Sequence, residues 1–172
     1  MDEPLGDQIL NKLDQARHQY YRLILVVAPP GSGKTSALHH VSDAISAPLI
    51  NLNLELSRRM LNLTERQRIL DLARILQEIA SEVAGEVVLL DNIELLFDVH
   101  LKRDPLRLLQ KLSRDKIIVA AWSGCVMDGH LTYASPGHPE HRHYPAQDIL
   151  ICQPGSDMTG SGNPFNKRGH GE

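Results

Sequence analysis

A short glycine-rich segment limits the folds open to this chain more than any other feature. Residues 28–35 read APPGSGKT. The apolar run before them, residues 23–28, is too short for a helix and is predicted to be a buried strand. Residues 34–46 carry Leu38, Val41 and Ile45 at helical spacing. A strand that enters a helix through such a loop is typical of α/β folds with a parallel sheet.

The residue types of this loop suit a nucleotide phosphate. Glycines at 31 and 33 let the backbone approach a ligand closely, and the N–H groups of residues 31–35 are expected to wrap the β-phosphate at a helix N-terminus. Lys34 supplies a cation to the β- and γ-phosphate oxygens, and the Thr35 hydroxyl is a ligand for Mg²⁺. The predicted cofactor-binding residues are Pro30, Gly31, Ser32, Gly33, Lys34, Thr35 and Ser36.

One position departs from the strict phosphate-loop pattern, which begins with glycine. This chain has Ala28 there. Alanine fits the end of a strand if its φ is negative, so we interpret Ala28 as a tolerated variant. The alternative is a glycine-rich turn that resembles the pattern by chance.

A carboxylate ends a second apolar run. Residues 86–91 read EVVLLD and are predicted to form a buried strand that ends at Asp91. If this strand lies near the first one, Asp91 reaches the phosphate loop and holds Mg²⁺ through water, together with Thr35. The alternative is a strand that simply ends in a side-chain turn.

Hydrolysis also needs a group that orients water. Many ATPases place a glutamate directly after the strand-ending aspartate, but this chain has Asn92, which cannot abstract a proton. The candidates are Glu94 and Glu55, and Glu55 lies just after the predicted second strand. The alternative for each is that it is a solvated residue or a helix cap. We therefore expect ATP binding more firmly than fast hydrolysis.

Two further side chains are candidates for the γ-phosphate region. Ser123 follows the predicted fourth strand and is expected to face the γ-phosphate. Arg142 is the first candidate for an arginine that acts on the site of a neighbouring subunit. Arg103, Arg107 and Arg114 are further candidates for that role, and a solvated surface position is the alternative for each. The basic stretch of residues 58–68 suggests contact with nucleic acid, but a solvated helix face is the more ordinary interpretation. The histidines of residues 130–143 suggest zinc, but their spacing matches no ligand pattern. The candidate catalytic residues are Lys34, Asp91, Glu94, Glu55, Ser123 and Arg142.

The pattern of apolar runs predicts a three-layer α/β P-loop NTPase fold. Five mainly parallel strands are expected at residues 23–28, 48–54, 86–91, 116–122 and 148–152, in the AAA-like order 5-1-4-3-2, with a hairpin near residues 131–144. We divide the chain into an N-terminal unit of residues 1–22, with a helix expected over residues 4–22, the P-loop domain of residues 23–153 and a disordered tail of residues 154–172. That tail is too short and polar to form a C-terminal helical lid.

Composition excludes several classes of protein. The 172-residue chain is 42% hydrophobic with a net charge of −3, which suits one folded domain and disfavours a protein that coats nucleic acid. Two cysteines form no disulfide framework. The longest apolar run is far below the roughly 18 residues of a membrane span, and no signal peptide is evident. We therefore expect a cytoplasmic protein without membrane contact.

The base is predicted to be adenine. Residues 11–14 read NKLD and match a guanine-reading pattern, but they precede the phosphate loop and fall within a predicted helix. Guanine readers place this pattern after the strand-ending aspartate. The expected cofactors are therefore ATP and Mg²⁺.

Several blocks of the sequence resemble BrxF, the small P-loop protein family of type III BREX systems, which exclude bacteriophages. The resemblance covers about residues 20–152, and its more specific blocks are SRRML, DNIELLFD and YASPGHPEHR. It implies an ATP-using accessory subunit of a defence system that also contains a DNA methyltransferase, a phosphatase-like protein and a large ATPase. The roles carry over only at Gly31, Gly33, Lys34, Thr35 and Asp91.

Three functions stay open on the sequence alone. The first is an ATPase whose nucleotide state controls assembly with itself, as a homo-oligomer, or with other BREX-type defence proteins, with indirect association with DNA. The second is a scaffold that binds ATP and scarcely hydrolyses it, which Asn92 favours. The third is a nucleotide kinase-like transferase, although no arginine-rich lid is evident.

Overall fold

The computed structural model describes residues 3–155 of the chain. These residues form five α-helices and seven strands, and two short 3₁₀ turns at Glu94–Phe97 and Val99–Leu101 follow the third strand. The helices are α1 (Leu5–Arg17), α2 (Lys34–Ile45), α3 (Leu52–Met60), α4 (Glu65–Ser81) and α5 (Pro105–Leu112). The strands are β1 (Leu23–Ala28), β2 (Leu49–Asn51), β3 (Val87–Asp91), β4 (Ile117–Met127), β5 (His130–Tyr133), β6 (Arg142–Pro145) and β7 (Leu150–Cys152).

The central sheet is parallel and has the predicted strand order. Its path is β2-β3-β4-β1-β7, which is the order 5-1-4-3-2 when only the five parallel strands are counted. Because β1 lies beside β4, and β4 beside β3, their carboxyl ends meet at one edge of the sheet. The expected α/β P-loop fold is therefore confirmed.

Helices cover both faces of this sheet and form two apolar cores. Along β1, Leu25 and Val27 face the core that α3, α4 and α5 complete, whereas Ile24 and Val26 face the core that α1 and α2 complete. Successive side chains of a strand point to opposite faces, so a continuous apolar run is what a strand between two helical layers requires. This explains why β1 and β3 are buried along their whole length.

The predicted second strand was too long. Residues 48–54 were expected to be extended, but β2 ends at Asn51 and α3 begins at Leu52. The Asn51 side chain accepts a hydrogen bond from the Leu54 N–H, which caps the helix. Leu52, Leu56 and Met60 are then buried at helical spacing. The apparent alternation of leucines was in fact the beginning of a helical stripe.

The other differences lie at the ends of elements. The first helix ends at Arg17 rather than near residue 22, and β4 continues five residues past the expected end at residue 122. The expected hairpin near residues 131–144 is present as β5 and β6, and it pairs with the extension of β4. The tail predicted to be disordered lies, from residue 156 on, outside the described residues.

Candidate nucleotide-binding site

A cleft of about 390 Å³ lies at the carboxyl ends of β1, β3 and β4. It brings together most of the residues that the sequence singled out, although they come from three separate segments of the chain. Ser32 is exposed and does not line it. The lining residues are Pro30, Gly31, Gly33, Lys34, Thr35, Ser36, Asp91, Asn92, Glu94 and Ser123.

The backbone conformation of the loop explains its two glycines. Gly31 has φ 77° and Gly33 has φ 86°, and both angles lie in the left-handed region that favours glycine. Nothing lies within 4 Å of a Cβ built at either position, so conformation rather than crowding requires them. Ala28, by contrast, ends β1 outside the left-handed region. It therefore needs no glycine, which accounts for the departure from the strict pattern.

Lys34 is the first residue of α2 and is only 8% exposed. Its Nζ donates hydrogen bonds to the carbonyl oxygens of Ala28 and Pro29, both at 2.8 Å. Burial lowers the pKa of Lys34 from its usual value, and the negative charges of Glu94 and Asp91 oppose that shift. The ammonium group thus lies inside the loop, between backbone oxygens and two carboxylates.

Thr35 and Asp91 meet across the cleft. The Thr35 hydroxyl donates to Asp91 Oδ2 at 2.7 Å, and Asp91 Oδ1 accepts the Asn92 N–H at 2.9 Å. Asp91 is 7% exposed. A hydroxyl and a carboxylate that share one edge of an open cleft are hard oxygen ligands of the kind that Mg²⁺ prefers. These residues therefore fit the metal that the sequence predicted.

A turn after Asp91 places a second carboxylate, that of Glu94, in the cleft. Asn92 has φ 52°, and its carbonyl oxygen accepts the Asn53 N–H at 2.8 Å. The Glu94 carboxylate accepts hydrogen bonds from Asn53 Nδ2 at 3.2 Å and from the Ser123 hydroxyl at 3.3 Å. The left-handed residue thus turns the chain so that Glu94 lines the site, although it lies three residues after Asp91.

These features coincide with a family match. Residues 24–116, more than half of the chain, match the model of the ATPase family associated with various cellular activities (AAA). The chain belongs to the AAA family. No curated protein matches it significantly over its length. The matched span includes the phosphate loop and Asp91, so this AAA domain is a nucleotide-binding ATPase domain, and the family supports ATP as its nucleotide.

Asn53 is the residue of this AAA site that the sequence reasoning missed. It lies on the first turn of α3, directly beyond β2, and its side chain contacts both the Glu94 carboxylate and, through Oδ1, the Leu95 N–H at 2.8 Å. The position of Asn53 near the end of a predicted strand was an available signal. The predicted strand of residues 48–54 placed Asn53 inside the strand, whereas in the structure Asn53 begins a helix just beyond the strand end.

Glu55, the other candidate for the group that orients water, does not line the cleft. It lies within α3, 3.4 Å from Arg58 and 3.5 Å from Arg59, and it lines a different cleft along the free edge of β2. The physical reason is the early start of α3. The helix turns Glu55 away from the carboxyl ends of β1 and β3.

Arg142 lies on β6 and donates from Nη1 to the His141 carbonyl oxygen at 3.1 Å. It does not line the cleft of its own chain. A residue that acts on a neighbouring subunit needs no place there, so its role stays a prediction. Arg103 donates twice to the Ile69 carbonyl oxygen, and Arg114 lies over the Tyr20 ring.

The histidine-rich segment shows stacking rather than a cluster of metal ligands. The rings of His130 and His143 lie 4.3 Å apart and nearly parallel. Within residues 3–155, no group of three or more His, Cys, Asp or Glu side chains is arranged to hold a metal ion. Cys125 and Cys152 are both free, and burial raises the pKa of the Cys152 thiol to about 12. In the same part of the chain, no helix is long and apolar enough to cross a membrane.

Proposed function

We propose that this protein hydrolyses ATP and that Glu94 orients the attacking water. The observation that carries the proposal is the position of Glu94. Its carboxylate lines the cleft that also contains Lys34 and Asp91, and two polar side chains, those of Asn53 and Ser123, hold it there. A carboxylate in this place is the group that AAA chemistry needs and that Asn92 cannot supply.

Each residue of the cleft has a distinct part in this proposal. The backbone N–H groups of the loop and the N-terminus of α2 bind the phosphates. Lys34 leaves the carbonyl oxygens of Ala28 and Pro29 and binds the β- and γ-phosphate oxygens. Glu94 accepts a hydrogen bond from the attacking water, and Ser123 lies beside it to contact the γ-phosphate. Together these side chains position water in line with the bond that breaks.

Thr35 and Asp91 would hold Mg²⁺, Asp91 through water. When bound, the ion neutralises charge on the β- and γ-phosphates. The hydrogen bond between the two side chains keeps their oxygens together before any ion arrives. Two features support Mg²⁺ binding here: both ligands are hard oxygen atoms, and the Thr35 hydroxyl and the Asp91 carboxylate lie next to each other.

A second candidate is an ATP-binding scaffold that scarcely hydrolyses its ligand. Two observations favour it. Asn92 stands directly after Asp91, and both oxygens of Glu94 already accept hydrogen bonds from other side chains. A carboxylate whose oxygens already accept hydrogen bonds has fewer lone pairs left to bind an attacking water. This candidate shares the binding site with the first and differs only in turnover.

The cellular part of the proposal rests on the sequence. The blocks SRRML, DNIELLFD and YASPGHPEHR support an accessory role in BREX-type defence against bacteriophages in the cytoplasm. In that role, the nucleotide state controls assembly with a second copy or with other defence proteins, and any association with DNA is indirect. Arg142 is the residue proposed to reach the cleft of a neighbouring subunit.

Steady-state phosphate release from purified protein with ATP and Mg²⁺ tests the hydrolysis. Lys34→Ala gives the background. Glu94→Gln is expected to lower turnover about 10²-fold or more while ATP binding persists, because the change removes the base but leaves the phosphate loop intact. Glu55→Gln is the matched control, since it makes the same chemical change outside the cleft, and it should leave turnover unchanged.

The outcomes separate the candidates. Release that does not exceed the Lys34→Ala background, with ATP still bound, would establish the scaffold instead. Turnover that survives Glu94→Gln would remove Glu94 from the mechanism. The mass in solution with and without ATP and Mg²⁺ tests assembly. A nucleotide-dependent oligomer whose turnover falls in Arg142→Ala supports the trans role, and a monomer in both states contradicts it.

A further inference from the structure

The strand that carries Ser123 does not end at the cleft. Beyond Ser123, β4 leaves the parallel sheet and pairs antiparallel with β5, which pairs in turn with β6. We call residues 124–145 the arm. The arm is therefore an extension of β4 that begins at the residue next to the candidate site.

Gly124 is where the arm begins, and close packing requires a glycine there. A Cβ at this position would overlap the Thr132 carbonyl oxygen and would lie 2.9 Å from the Trp122 indole nitrogen. That same indole N–H donates to the Thr132 carbonyl oxygen at 3.0 Å. The junction is thus fixed by a direct bond between Trp122, in the sheet, and β5, in the arm.

An aromatic cluster fastens the arm to the segment that carries Glu94. The rings of Phe97 and Tyr133 stack with centroids 3.5 Å apart at 15°, and Trp122 meets Phe97 edge-on at 5.0 Å. Trp122 and Phe97 are fully buried, and Tyr133 is 7% exposed. On β6, the last strand of the arm, the Tyr144 hydroxyl donates to Asp104 at 3.0 Å, and the Tyr144 ring meets Trp122 edge-on at 6.0 Å.

Glu94 and Phe97 are the first and last residues of one 3₁₀ turn. Holding Phe97 therefore holds the turn that carries Glu94. Ser123, which donates to the Glu94 carboxylate, is also the neighbour of Trp122 along β4. The 3₁₀ turn and the Ser123 hydroxyl, which both orient Glu94, thus depend on these aromatic rings. The arm contributes Tyr133 and Tyr144, and Tyr133 is the one that stacks on Phe97.

We propose that Tyr133 is a positioning residue for hydrolysis, because its ring stacks on Phe97 and thereby fixes the turn that carries Glu94. Through this contact the arm controls turnover without touching ATP, and displacement of the arm slows hydrolysis while nucleotide binding persists. The inference rests on the proposed role of Glu94. It adds a control element that lies outside the cleft.

The test compares substitutions of Tyr133 with a control on the same strand. Tyr133→Phe retains the stacked ring and should keep turnover within about 2-fold of the unmodified protein. Tyr133→Leu removes the ring and should lower the turnover number about 10-fold or more, because small misplacements of a catalytic group are costly, while the Kd for ATP stays nearly constant. Leu131→Ala removes a fully buried side chain from the same face of β5 but leaves the stack intact.

Trp122, the only tryptophan in the chain, supplies an independent optical readout. Its fluorescence should respond to ATP in the unmodified protein and in Tyr133→Phe, and the response should diminish in Tyr133→Leu. A stability loss alone would affect Leu131→Ala and Tyr133→Leu alike, and equal turnover in these two variants would therefore overturn the inference.

The result also separates this inference from the proposed function. If Glu94→Gln abolishes turnover and Tyr133→Leu leaves it unchanged, Glu94 keeps its role and the arm has none. If Glu94→Gln leaves turnover unchanged, the proposed role of Glu94 fails, and with it the premise on which the role of Tyr133 rests.

Discussion

The two halves of β4 differ in what holds them and in what depends on them. Residues 117–122 are buried and lie between β1 and β3 in the parallel sheet. Residues 124–127 pair with β5, and their side chains alternate between half-buried and exposed. Residues 117–122 are held by many apolar contacts in the core. The arm, by contrast, is held by a few specific contacts, such as the Trp122–Thr132 hydrogen bond and the stacking of Tyr133 on Phe97. We therefore expect substitutions in the first half of β4 to lower mainly the stability of the fold, and substitutions in the second half to lower mainly the turnover.

The largest expected effect lies in the first half. Ile118 is fully buried between Val88 and Leu23, so Ile118→Ala leaves a cavity in the core. The free energy of unfolding should fall by about 2–5 kcal/mol. Urea unfolding measures this loss. Phosphate release per folded molecule should change little, and a turnover loss like that of Tyr133→Leu would show that the two halves are not separate.

At Gly124, where the arm begins, we expect a smaller loss of stability than in Ile118→Ala but a larger loss of turnover. Gly124→Ala forces a methyl group against Thr132 and the Trp122 indole, so the arm must shift. Overpacking of this kind costs about 1–3 kcal/mol. Urea unfolding and phosphate release on the same preparation measure both effects. A variant that loses stability but keeps full turnover would contradict the coupling of arm and site.

The same contrast explains how far the sequence alone could predict the fold. The central strands of the parallel sheet can be predicted from local patterns, because a strand that is buried on both faces needs a continuous apolar run. Residues 23–28 and 87–90 are such runs. The strand order was expected because the phosphate loop and Asp91 together indicate a P-loop fold, for which the AAA-like order was preferred, and the structure has that order. The length of β2 did not, because Leu52 and Leu54 suit a strand and a helix equally until the Asn51 cap decides between them.

The site was predictable where one segment supplies the chemistry and not where several meet. The loop and Asp91 carry their function in contiguous residues. Glu94 was identified only as one of two candidates, because the left-handed turn at Asn92 that brings it back is not evident from residue types. Asn53 and Tyr133 matter only through residues distant in the chain, and no local pattern reveals such contacts.

The smallest expected effect concerns the arm at alkaline pH. Burial, with a contribution from Glu94 and Glu140, raises the pKa of Tyr133 to about 12, whereas an unfolded tyrosine titrates near ~10. A raised folded pKa means that the contribution of Tyr133 to stability is complete below about pH 10 and is lost as pH rises toward 12. Tyr133→Phe, which has no ionisable group there, should therefore lose less stability over this range, as urea unfolding at a series of pH values measures. Identical slopes in both proteins would mean that the Tyr133 ring is not held in the buried stack from which the arm acts on Glu94.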